Sequence, residues 1–143
     1  MNIRVLAATL AGGLTMTLLG WLIFGILLAN YLKEHMIQYA GLVKDPPDWF
    51  PLIVFNLAFA WLFAFVFDYW ATIRTFIGGL RGGALIMLPL VIGIDFQYLA
   101  FTNLYTGYAP VIVDVLATTL LGAIAGGVIG LVLGKMSNSP ALE

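Results

Sequence analysis

The chain has 143 residues, of which 62% are apolar and 9% charged, against roughly a quarter charged in ordinary soluble domains. Seven acids and six bases cannot give a domain of this size a polar skin, so its surround is expected to be lipid. A net charge of −1 removes any electrostatic case for a nucleic-acid partner, and the lack of cysteine removes disulfides, thiolate metal sites and thiol catalysis.

The N-terminal stretch MNIRVLAATLAGG places one Arg before an apolar run that continues to Leu32. That is too long for the apolar region of a signal peptide, so it reads as a retained first span over about 5–32. A helix needs roughly 20 residues to cross a ~30 Å core, so this one should tilt or project. The connection from Lys33 to Asp48 is the longest in the chain and carries Met36, Ile37, Tyr39, Leu42 and Val43 among its polar residues. It reads as an amphipathic turn along the headgroups, with a lid over the bundle mouth as the functional alternative. Asp45-Pro46-Pro47-Asp48 cannot continue a helix, and Asp48 is placed to cap the second span, 50–70. Gly78-Gly79 is expected to separate it from the third, 80–102. Thr106-Gly107-Tyr108 and Pro110 open the fourth, 110–134.

Runs this long and apolar can only be helices in lipid. The expected fold is all-α, a membrane-spanning four-helix bundle with both termini on the same side. It forms a single domain over 1–136, and 137–143 is a polar tail whose closing Leu142-Glu143 reads as a cloning scar. Arg4, Arg74, Arg81 and Lys135 share one end, whereas the other has only Lys33 and Lys44 beside Glu34, Asp45 and Asp48. The positive-inside rule therefore expects a multi-pass protein of the cytoplasmic (inner) membrane with both termini cytoplasmic.

The fourth span carries the clearest pattern: Gly122, Gly126, Gly130 and Gly134 lie on one helix face, and Asp114 and Thr118 continue the spacing. Small residues in this register let two backbones approach. With four helices to pack, close packing inside one bundle is the expected use, and a homo-oligomer seam is the alternative.

Polar residues at depth are costly and point to function by default. Asn56, Asp95 and Asp114 lie on three different spans, each roughly 6–11 Å below the same boundary at 1.5 Å per residue. Tyr98 and Asn103 are close to that level. If these side chains turn inward they form one outward-facing chamber with no Lys or Arg at its depth, where one of two adjacent carboxyls would keep a proton. That chemistry suits a proton, a cation or a small polar ligand with amine or hydroxyl donors. The plainer reading is a hydrogen-bonded cluster that fixes helix register. Asp68 sits near the inner end of the second span and is expected to pair with Arg74 or Arg81. Pro89 and Gly93 interrupt the third span below Asp95. One histidine, His35, cannot build a haem or zinc site, so neither a cofactor nor a metal is expected, and no catalytic set is visible.

Thr102-Asn103-Leu104, then Pro110, then Val113-Asp114 resemble a bacterial family of four-helix integral membrane proteins known as a domain of unknown function. The similarity covers the last third of the chain. It departs at Ala100, where an Asp would be expected, and at Ala117 and Thr118, where Trp and Gly would be. The resemblance implies four spans and draws attention to Asn103 and Asp114, but implies no activity. Two functions from different classes follow: binding or transport of a small solute, proton or cation, or an accessory or scaffold subunit of a larger membrane complex. An enzyme acting on lipid ranks last.

Overall fold

A computed structural model of the chain describes residues 2–44 and 46–137. Met1, Asp45 of the expected turn and the tail residues 138–143 lie outside the described residues. The chain forms helix α1 (Ile3–Leu27), a short helix α2 (Ala29–His35), then α3 (Trp49–Trp70), α4 (Phe76–Phe101) and α5 (Tyr108–Ser137). All but α2 are long and apolar enough to cross a membrane. Among the described residues the only strand-like feature is one isolated bridge between Met36 and Tyr105. The fold is an all-α, membrane-type four-helix bundle.

Several boundaries differ from the sequence expectation, each for a local reason. The first span stops at Leu27 rather than Leu32. Its last turns, Trp21–Leu27, are wound as a π-helix, and Leu28 (φ −102°, ψ −2°) bends the chain into α2. The end of α3, Val66–Trp70, is π-helical too. Asp48 holds the cap position of α3 but makes no capping bond. Its carboxylate instead lies 3.7 Å from Lys44 Nζ in the open, a contact worth little. The reversal between α3 and α4 occurs at 71–75, not at Gly78-Gly79. Thr72 takes a left-handed backbone (φ 49°), and Thr75 Oγ accepts from the Gly78 N–H at 3.1 Å to cap α4. Gly78 and Gly79 thus lie inside α4. Pro89 also lies inside α4, which continues through it. Ser137 ends α5 rather than opening a tail.

Glycine contacts fix the packing. Gly12 meets Ile129 and Ala60, Gly13 meets Leu57, and Gly20 meets Leu121, so α1 runs antiparallel to both α5 and α3. Gly79 meets Gly126 and Gly83 meets Gly122, so α4 runs antiparallel to α5. The helices therefore lie in the order α3, α1, α5, α4, with α5 the most enclosed and α4 the least. Met16, Phe63, Phe67, Ile129 and Leu133 fill the core between α1, α3 and α5. One end of the bundle holds the 71–75 reversal and Arg74. The other holds the connectors 36–48 and 102–107, with Tyr105.

Candidate functional site

The site grows out of the α4–α5 seam. The buried positions of α4 are Gly79, Gly83, Met87, Val91 and Asp95, one every four residues. Such a row forms a continuous ridge on a helix. The facing row on α5 is Gly134, Gly130, Gly126, Gly122, Thr118 and Asp114. At the Arg74 end the rows meet backbone to backbone. A Cβ on Gly79 would overlap the carbonyl of Gly126, one on Gly83 would overlap that of Gly122, and one on Gly134 that of Arg74. A Cβ on Gly122 would collide with the Met87 side chain. This approach fixes the rotation of both helices. Followed toward the other end, the same register brings Asp95 against Asp114.

Asp95 stands six residues before the end of α4 and Asp114 six after the start of α5, about 9 Å inward at 1.5 Å per residue. The two carboxyls are within hydrogen-bonding reach of each other across the seam. Asp95 is 4% exposed, and its Oδ2 has no donor among the described residues. Asp114 is half-buried, and its Oδ2 accepts from Thr118 Oγ at 3.5 Å, a distance at which the bond is weak. The Tyr105 hydroxyl faces Asp95 from the connector between the two helices. Burial, and then the carboxyls of Asp95 and Asp114, push the Tyr105 phenol up, so it stays a neutral O–H donor. No described Lys, Arg or His acts on either carboxyl. No group of three or more potential ligands that could hold a metal ion occurs among the described residues.

The other residues singled out in the sequence fall elsewhere. Asn56 is buried in the α1–α3 seam, where its Nδ2 donates to Thr17 Oγ at 3.0 Å. That bond places it in a different seam, so the expected single chamber is divided in two. Tyr98 and Asn103 are exposed and line an open depression of about 260 Å³ with Tyr39, Leu42, Thr102 and Leu104 at the Tyr105 end. Asn103 contributes its backbone there, its carbonyl accepting from Tyr39 O–H at 3.5 Å. Gly122, Gly126, Gly130 and Gly134 face α4 and the 71–75 reversal within the same chain.

Asp68 is also buried, but it is paired. Arg74 Nη2 lies 2.7 Å from Asp68 Oδ1. The guanidinium also donates to the carbonyls of Phe67, Asp68 and Ile73, each at 3.3 Å. Phe67 and Asp68 lie in the π-helical end of α3 and Ile73 in the reversal, and Arg74 closes their carbonyls off.

Tyr105 is the contact that sequence reasoning missed as a site residue. It lies in a turn, where no helical period marks which way a side chain points. The seam register was visible, because Gly83 and Asp95 are three steps of four apart. No family model, no curated protein and no solved structure matches the chain.

Proposed function

We propose that this protein binds a proton or a small cation at the Asp95–Asp114 pair, as a binding or transport protein with that site open toward the non-cytoplasmic side of the cytoplasmic (inner) membrane. The observation that carries this is Asp95: nine-tenths buried, one oxygen without a donor, facing a second carboxyl with no basic residue at hand. Two such groups at lipid depth repel unless something positive lies between them. Direct contact leaves space for a proton or a bare ion, not for a large solute. The orientation rests on Arg4, Arg74, Arg81 and Lys135 sharing the opposite end.

A second reading, an accessory or scaffold subunit of a membrane complex, is favoured by the outer face of α4. Leu85, Pro89, Gly93, Gln97 and Phe101 lie there exposed, and Gly93 has nothing within 4 Å. Such a face suits a neighbouring helix.

Thermal unfolding in detergent separates the two readings, with wild type, Asp95→Asn and Asp114→Asn compared at pH 5 and pH 8. At a proton or cation site each variant matches or exceeds wild type at pH 8, because one of two facing like charges is gone. An ion that binds there raises the wild-type midpoint at pH 8 when added as its chloride, and raises the variants' less. A loss of several degrees by either variant at both pH values would make the carboxyl a packing group and leave the subunit reading in its place.

A further inference from the structure

The acidic pair has a cover that is itself held in place from elsewhere in the chain. We infer that Tyr105 is the gate residue of the Asp95–Asp114 site, and that the backbone bridge between residues 35–37 and 104–106 is the latch that holds it shut. The inference rests on the reading of that pair as a binding site.

Tyr105 reaches the pair from outside the two seam helices. It sits in the connector 102–107, on the side from which a proton or ion would arrive, half-buried with its hydroxyl turned toward Asp95. The connector is not free to move by itself. Met36 lies opposite Tyr105 in an antiparallel bridge. The Ile37 N–H donates to the Leu104 carbonyl at 2.7 Å, and the Thr106 N–H to the His35 carbonyl at 3.0 Å. Thr106 Oγ donates to that same His35 carbonyl at 2.9 Å. The segment that follows α2 thus clamps the turn that carries the gate. A single bridge between two connectors has few bonds to break and little apolar burial to lose. Segments of that kind open locally while the rest of a fold stays intact. At the same end of the bundle lies the depression lined by Tyr39, Tyr98, Asn103 and Leu104, the residue before Tyr105. Inside, the unpartnered Asp95 Oδ2 is the atom that gains a partner on entry.

The chain has no cysteine, so an introduced pair can be oxidised without competition. Ile37 and Leu104 flank the bridged pair and share one backbone hydrogen bond. A regular hydrogen-bonded pair in this register lies about 5.5 Å apart, within disulfide range. The experiment measures the rate at which a water-soluble carbodiimide and an amine label Asp95 and Asp114, read by mass spectrometry and referenced to the exposed Glu34 and Asp48. It compares wild type, Tyr105→Ala, Tyr105→Phe, and the double variant Ile37→Cys with Leu104→Cys in its oxidised and reduced forms. A gate predicts slow labelling of the pair in wild type, a rise of about tenfold in Tyr105→Ala, and a fall of about tenfold on oxidising the cysteine pair that a reductant reverses. Tyr105→Phe keeps the ring and stays slow. The gate is overturned if the pair labels as fast as Glu34 in wild type, or if oxidation leaves the rate unchanged. The lock compares one folded protein with itself, so it decides even where Tyr105→Ala fails to fold. Labelling reports access alone: a gated pair whose stability ignores added ions keeps the gate and removes the cargo.

Discussion

Asp68 and Asp95 are both buried aspartates near the end of a spanning helix, at opposite ends of the bundle, and their surroundings differ. Asp68 takes Arg74 at 2.7 Å, and the same guanidinium caps the carbonyls around it. Asp95 faces another acid and keeps an oxygen without a donor. The first arrangement shows what this fold does with a carboxylate it holds for stability: it supplies the cation. Asp68 Oδ1 likewise makes no directed hydrogen bond, so the cation is what sets the two apart. The second lacks that cation. Burial alone therefore does not mark a site. An acid left without a cation, facing a second acid, in a fold that gives its other buried acid one does.

The contrast is tested most severely at Arg74. Arg74→Met leaves the Asp68 carboxylate buried alone and should cost about 3 kcal/mol, measured as unfolding free energy in detergent. A loss below about 1 kcal/mol would mean that Asp68 finds water and that the two aspartates are not so different. Next in size is the seam that positions Asp95. In Gly126→Ala the new Cβ meets the Gly79 carbonyl and lies 2.8 Å from Gly83 Cα. Backbone cannot rotate away, so α4 must shift, at about 2 kcal/mol. If the seam sets the register of the acid pair, this variant should also change the carbodiimide labelling of Asp95, ten residues or more from the substitution along either helix. Gly93→Ala, on the open face of α4, is the control and should be neutral or gain up to ~1 kcal/mol from helix propensity. The smallest effect belongs to Asn56→Leu, which removes only the bond to Thr17 and should cost ~0.6 kcal/mol. A large loss there would give the α1–α3 seam a polar role that its satisfied hydrogen bond does not suggest.

Much of this architecture was legible in the sequence because lipid simplifies the problem. A run of some twenty apolar residues admits one solution, and the four spans follow. Their edges were harder. Gly78-Gly79 reads as a break by the usual turn chemistry, yet Gly79 is where α4 touches α5, Gly78 packs against Thr75 and Ile73, and Thr75 supplies the real start. The end of α1 is hidden in the sequence because the π-helical turns and the bend at Leu28 fall inside one unbroken apolar run. At the candidate site the residue types and their depth could be read, but depth is one coordinate and rotation is another. Asp95 and Asp114 share a seam because Gly83 and Gly122 fix the phase of their helices. Asn56 has the same depth but answers to the phase of α3, which turns it to Thr17. Tyr98 lies on α4 but off its buried row, so it is exposed, and Asn103 is placed by the turn instead.

The short connector between α4 and α5 bears on how the molecule assembles. The seam joins neighbours in sequence through the six residues 102–107, so closing it costs little chain entropy. Glycines have no rotamers to lose when they meet. This hairpin can therefore zip up soon after both helices enter the bilayer, whereas the α1–α5 contact must bring together residues more than a hundred positions apart, such as Gly12 and Ile129. Asp95 and Asp114 would then meet early, while the bundle around them is still incomplete. The latch from residues 35–37 would be the late step that shuts a site already built.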